Sequence, residues 1–405
     1  MKEWKTYKIR DIATVNLSQY SLKEGWNEVT YLDTGSITEN HIEDIQTFIL
    51  PCDDFPSRAR RKVQHNDILF STVRPNQKHF GILKNPNDNL LVSTGFSVIT
   101  VNPLVADANF VYYYITQQEI INYLQSVAEQ SVSAYPSLKS SDIEDIDIEL
   151  PSLYEQRRLA LILKSIDDKI ENNNRINHNL EQQAQAIYKS WFVDFEPFRD
   201  GKFVESELGM IPEGWRVAEL GTVTRQSSQK VKDRTDVKVL SPITTGELVL
   251  SEEYFTKQVF SESISKYIVV KPLHFAYNPA RVNIGSIGMN MFSFDGCVSP
   301  VYVVFECEKG YHHFFDYYRK TASFKDEVLN RAIGGVRQTL SYKDFALIKL
   351  VYPPYDIVEK FNCIYAGLLE NKNSIKREIS KLSELRDTLL PKLLSGELKI
   401  NDLTC

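Results

Sequence analysis

The chain is short of several things, and each shortage removes a class of protein. No run of about 18 apolar residues occurs, so no membrane-spanning helix is expected. The opening, MKEWKTYKIRDIA, lacks the apolar core that a signal peptide needs. Cysteine is sparse: Cys52, Cys297, Cys307, Cys363 and Cys405 are odd in number, scattered, and never in a CxxC pair. They read as reduced thiols of a cytoplasmic protein, neither a disulfide framework nor a zinc site. Basic charge is also in deficit. A net charge of −6 excludes a simple cationic coat for nucleic acid, so any such contact must come from local patches or from a partner. What remains is an ordinary soluble composition over 405 residues, 42% hydrophobic and 25% charged, enough for two or three domains with cores of their own.

The most informative absence lies in the middle. From Pro151 to Phe192 there is no glycine, and the one proline stands first, where a missing N–H costs a helix nothing. Steps of four and three along this stretch meet Leu159, Leu163, Ile166, Ile170, Asn173, Asn177, Leu180, Ala184, Ile187 and Trp191. That is a heptad seam with two asparagines at its centre, on a helix of about 38 residues and roughly 57 Å. Such a stripe needs a cover. A shift of 202 positions gives Phe361, Tyr365, Leu368, Lys372, Ile375, Ile379, Leu382, Arg386, Leu389 and Leu393, eight of the ten apolar or aromatic. Two matching seams predict an intramolecular coiled coil; the plainer alternative packs each helix on its own domain.

The rest of the chain is also doubled. Trp4, Ile9 and Ile12 return as Trp215, Leu220 and Val223; Asp67–Arg74 returns as Pro272–Asn278, with Phe70 matched to Phe275. Val92-Ser93 returns as Val298-Ser299, Phe110–Tyr114 as Phe315–Arg319, and Leu138–Ile146 as Leu340–Ile348. Each half is therefore one mixed globular domain followed by one long helix. Phe96–Val101 and Val301–Phe305 read as strands, Asn109–Gln125 and His312–Leu329 as helices. Asp194–Trp215, rich in Gly, Pro and Glu, reads as a loop or linker.

Two similar domains on an antiparallel rod suit a ligand with two spaced sites. Duplex DNA is one, its groove faces recurring about every 34–36 Å. Reading base edges needs Arg, Lys, Asn and Gln on exposed loops. In the first domain these are Arg58, Arg60, Arg61 and Lys62, expected just before a strand, then Arg74, Asn76, Gln77 and Lys78 in a turn. In the second they are Asn278, Arg281 and Asn283 in the equivalent turn, with Arg225, Gln229 and Lys230. Arg337 and Gln338 lie in a loop whose partner carries Ser133 and Tyr135.

At LPSLYEQRRLALILKSIDDKIENN (150–173), SWFVDFEPF (190–198), LGMIPEGW (208–215) and LRDTLLPKLLSGEL (385–398), the chain resembles the specificity subunits of Type I restriction–modification systems. The resemblance spans nearly the whole chain. It implies an α+β fold: target-recognition domains at 1–150 and 212–352, a central helix at 151–193, a linker at 194–211 and a second helix at 353–398. The helices would form an antiparallel coiled coil with pseudo-two-fold symmetry. It further implies a non-catalytic reader of a split site in double-stranded DNA. Such a subunit holds two methyltransferase subunits, and through them the restriction subunits; which helix faces dock them the sequence does not fix, with apolar residues such as Leu153, Trp191 and Phe192 as candidates. S-adenosylmethionine, ATP and Mg would be bound by those partners, with no cofactor or metal in this chain.

Rival chemistry fares worse. Tyr352-Pro353-Pro354-Tyr355 is like the loop that grips an amino group in adenine methyltransferases, but its first residue offers no suitable acceptor and no glycine-rich cofactor loop precedes it. Asp295 with Glu306, Glu308 and Lys309 is loosely nuclease-like, with the lysine one place out of register on a strand. His312-His313 lacks a nearby third ligand. The remaining alternative is a coiled-coil scaffold without DNA readout, which would leave two large diverged domains unexplained.

Overall fold

The computed structural model describes residues 4–50, 55–130, 136–255, 260–332 and 339–398. It forms two compact units, residues 1–174 with 376–405, and residues 175–375.

In the first unit one four-stranded sheet runs in the order Gln46–Ile49, Glu28–Leu32, Leu90–Ser93, Ala59–Lys62, with the middle pair parallel. The other runs Ala13–Val15, Phe96–Val101, Ile68–Ser71, Phe80–Ile82, antiparallel throughout. Strand geometry explains why the central strands are apolar without alternation. Ile68 and Phe70 enter a core shared with helices, while Leu69 between them faces Leu32, Leu90 and Val92 of the other sheet. Leu91 in turn joins Tyr20, Val29 and Tyr31 on that sheet's outer side.

The second unit repeats this strand for strand. Its sheets run Leu248–Leu250, Lys238–Pro242, Gly296–Val298, Ile268–Val270, and Thr224–Ser227, Val303–Cys307, Phe275–Tyr277, Ile287–Met289. The parallel pair recurs at Lys238–Pro242 and Gly296–Val298. Phe275 and Tyr277 take the helix side and Ala276 the inter-sheet side. Each unit is closed alike: Ile9 N donates to Ile146 O at 3.0 Å, and Leu220 N to Ile348 O at 2.8 Å.

Three expectations need correction. Phe70 corresponds to Tyr277, not Phe275, because Ser71 N bonds His79 O (2.9 Å) as Asn278 N bonds Ser286 O (3.0 Å). A two-residue slip keeps the same face of a strand, so apolar pattern alone did not detect it. Each aromatic-rich stretch is two helices: Ala108–Ile115 and Gln118–Glu129, then His312–Tyr318 and Ala322–Arg331. Hydroxyls make the breaks, Thr116 bonding back to Tyr112 O and Thr321 capping Phe324 N. The linker is not all loop, since Phe203–Ser206 and Gly209–Pro212 form an antiparallel hairpin.

The long helices are Leu153–Phe192 and Tyr355–Leu394. Within the first unit they run antiparallel: Leu159 and Leu163 share a core with Leu393 and Leu394, and Arg386 pairs with Asp167 at 3.2 Å. Asn173, 1% exposed, donates to Glu378 Oε2 at 2.9 Å. Within the second unit Ala184 and Tyr188 meet Phe361 and Tyr365, and Lys372 pairs with Glu181 at 2.6 Å. Of the seam residues Leu159, Leu163, Ile166, Asn173, Ala184, Phe361, Tyr365 and Leu393 are buried. Ile170, Leu180, Ile187, Ile375, Ile379, Leu382 and Leu389 are half-buried, as a two-stranded pairing leaves them. Both plans hold at once, since each helix end packs on a domain and on the other helix.

Candidate nucleic-acid interface

In each unit the strands Ile68–Ser71 and Phe275–Tyr277 run out into one turn, and the two turns share their backbone hydrogen bonds. Gln77 N bonds Arg74 O at 2.9 Å as Ile284 N bonds Arg281 O at 3.2 Å. Lys78 N bonds Pro75 O at 3.0 Å, and Gly285 N bonds Val282 O at 3.0 Å. The fifth residue is left-handed in both, Lys78 at φ 56° and Gly285 at φ 95°. Pro75 and Val282 are the buried anchors. Arg74 therefore stands where Arg281 stands, and Asn76 where Asn283 stands. Arg74, Asn76, Gln77 and Arg281 are exposed, and Asn283 is half-buried. Arg74 holds φ +49°, a conformation that residues other than glycine seldom adopt, whereas Arg281 lies at φ −140°.

A second turn leans on each of these. In the first unit it is the tip of the hairpin Ile37–Thr38 and His41–Ile42, where Asn40 Oδ1 accepts from Ile82 N at 2.8 Å. In the second it is Ile243–Glu247, close enough that a Cβ on Gly285 would meet Thr244 O at 2.5 Å. Sequence reasoning missed these tips, which expose His41, Thr244 and Thr245. The signal was there: Phe80-Gly81-Ile82 and Ile287-Gly288-Met289 repeat a glycine at the close approach. A Cβ at Gly81 would strike Ile37 at 2.5 Å, and one at Gly288 the backbone of Glu247 at 2.7 Å.

Other proposed contacts are placed differently. Arg60, Arg61 and Lys62 lie on the strand Ala59–Lys62, not before it, and so alternate faces. Arg61 is half-buried, Nη1 bonding Asn16 Oδ1, and burial pulls its guanidinium below the usual arginine value. Lys62 pairs with Glu24, holding that carboxyl low, and sits 5.2 Å over Trp26. Arg60 lies 5.3 Å over Phe55, and Arg58 is exposed. Lys78 pairs with Glu39 at 2.8 Å. Asn278 Oδ1 is turned to Ala280 N at 3.0 Å. Arg225, Gln229 and Lys230 are exposed in the second unit. Ser133, Tyr135, Arg337 and Gln338 lie outside the described residues; their flanks border the turns, Leu138 N bonding Thr72 O at 2.7 Å and Leu340 N bonding Pro279 O at 3.0 Å.

The rival motifs resolve into packing. Tyr352 is 4% exposed, its hydroxyl donates to Glu308 at 2.6 Å, and its ring stacks on Tyr311 at 4.4 Å. Asp295 is held by Arg234 at 2.8 Å and Glu306 faces His274 at 3.3 Å. His313 packs on Tyr365 at 4.6 Å.

Residues 1–182 match the family model described as Type I restriction modification DNA specificity domain. The chain is 26% identical to the Type I restriction enzyme HindI specificity subunit of Haemophilus influenzae, over 98% of this chain and 100% of that one. It is also 26% identical to the MjaIX specificity subunit of Methanocaldococcus jannaschii, over 99% of this chain and 95% of that one. Among solved structures, the Type-I restriction-modification system S subunit from M. genitalium shares its fold, with a TM-score of 0.53 at 17% identity over 96% of each chain.

Proposed function

We propose that this chain, which belongs to the family of Type I restriction–modification specificity subunits, reads a bipartite site in double-stranded DNA, one half with each unit. Specificity subunits are non-catalytic. Two methyltransferase subunits would dock on this one, with restriction subunits joined through them, and those partners would carry S-adenosylmethionine, ATP and Mg. The observation that supports the reading best is the recurrence of one Arg-x-Asn turn, Arg74-Pro75-Asn76 and Arg281-Val282-Asn283, at the same place in two units of the same topology. An arginine fork matches the O6 and N7 acceptors of guanine, and a side-chain amide matches the N6 and N7 edge of adenine. The flanking residues differ between the turns, which suits two readers of different sequence. The acidic net charge then fits a complex in which partner subunits supply much of the phosphate contact.

The test is a map of DNA methylation in cells that express the methyltransferase subunits in their cytoplasm with and without this chain. A two-part motif that appears only with the chain supports the reading. No motif, with the methyltransferase still held by the chain, would leave a scaffold without readout.

A further inference from the structure

Arg319 is buried to 8% exposure at the end of the helix His312–Tyr318, and its guanidinium divides between two turns. Nη1 donates to Ile287 O at 3.0 Å, two residues beyond the Arg281–Gly285 turn. Nη2 donates to Gly246 O at 2.8 Å, in the tip that leans on that turn. Nε donates to Asp316 Oδ1 at 2.9 Å. Beyond it Lys320 lies 3.5 Å from Asp316 and 3.0 Å from Glu181 on the first long helix, and Lys372 on the second long helix reaches Glu181 at 2.6 Å. Burial drives the Asp316 carboxyl up, but Arg319 and Lys320 outweigh it and hold it below the usual carboxylate range. A connected, charged bracket thus runs from the reading edge to the helix pair, inside one unit. The first unit ends the matching helix with Thr116, whose hydroxyl merely bonds back to Tyr112 O at 2.8 Å.

We infer that Arg319 is a positioning residue for sequence reading by the second unit, clamping its two exposed turns side by side and fastening them to the helices. The inference rests on the proposal that this unit reads DNA. A planar fork is required, because one ammonium group cannot reach two carbonyls and a carboxylate in these directions. Lysine at 319 keeps a charge beside Asp316 but releases the turns.

The experiment selects bound duplexes from a random-sequence pool, using the full chain with its co-expressed methyltransferase subunits. The second unit's half of the motif is the one that survives exchange of residues 4–147 for those of a related chain. Two variants are compared, Arg319→Lys and Gly246→Asn. The second keeps a residue that tolerates φ +85° and leaves the Asp316 pair intact, but its Cβ would sit 2.7 Å from Arg319 Nη1. Preference within the second half should fall at least tenfold in both variants, with the first half unchanged and both variants still folded by circular dichroism, though melting at a lower temperature because buried carbonyls lose their donor. Unaltered preference in either folded variant overturns the inference, as does equal loss of both halves in both variants. If the natural chain selects no motif, the DNA-reading proposal itself fails.

Discussion

Arg74 and Arg281 carry the sharpest expectation at the scale of single residues. If each grips a guanine edge with two hydrogen bonds, Arg74→Ala should cost about 1–3 kcal/mol against its own half-site and nothing at the other. Arg281→Ala should do the converse, and competition binding with duplexes altered in one half reads both. A loss equal on all sequences would reduce either residue to a phosphate contact. Titration offers a second expectation. Burial, with His312 adding to it, pushes the His313 imidazole from 6.5 down to about 4, and its Nδ1 has no partner among the described residues. A depressed folded value means the fold takes up the proton less readily than the unfolded chain does. Stability is then whole above pH 6.5 and falls as pH drops toward 4, by on the order of 2 kcal/mol after discounting for the part water reaches. Below that, Glu181 continues the loss. Its carboxyl is raised by burial but pulled down further by Lys320 and Lys372, to about 2, so its share disappears between pH 4.5 and 2. His313→Phe should flatten the first limb in denaturant titrations at pH 7 and pH 5; equal acid sensitivity in both proteins would remove His313 as the cause.

Among the elements, the long helices were legible because a seam of period 3.5 over ten positions is a long signal, and both partners lie in one chain. Shorter pieces were legible in kind but not in detail. Asn109–Gln125 merged two helices because Thr116 and Gln117 interrupt the chain without glycine or proline. The two Arg-x-Asn turns were located, yet the strands leading into them were matched two residues out of step, since a slip by an even number leaves strand faces unchanged. The hairpin tips beside them were missed for a tertiary reason: only packing brings Ile37–Ile42 next to Lys78–Phe80, and Gly81 and Gly288 mark that approach without naming what approaches. Arg61 and Lys62 have partners that the sequence did not show. Their charge suggested DNA, but their bonds to Asn16 and Glu24 are internal. The seam's buried Asn173 permits a test of this level. Its partner Glu378 is 46% exposed and can turn to water, so Asn173→Leu should stabilise the helix pair by roughly 1 kcal/mol while loosening its register. Urea unfolding measures the first effect; a lower midpoint would show that the hydrogen bond outweighs the apolar gain.

For the whole molecule, the doubling was the most legible fact, because its matches keep their order with offsets confined to about 202–211 positions. The structure extends it from matched words to matched strand orders, including the parallel pair in each unit. The doubling also gives the proposed reader its strictest test, through the distance between the halves it recognises. Seven residues added to each long helix, after Asn173 and after Ile375, keep both seams in phase, whereas four shift them. At 1.5 Å per residue seven add about 10.5 Å, which is roughly three base pairs at about 3.4 Å each along a strand. Methylation mapping of cells carrying the extended chain should then return the same two half-sites with a spacer longer by about three base pairs. An unchanged spacer would mean that something other than the helices sets the distance. New half-sites would mean that the domains do not read independently of what joins them.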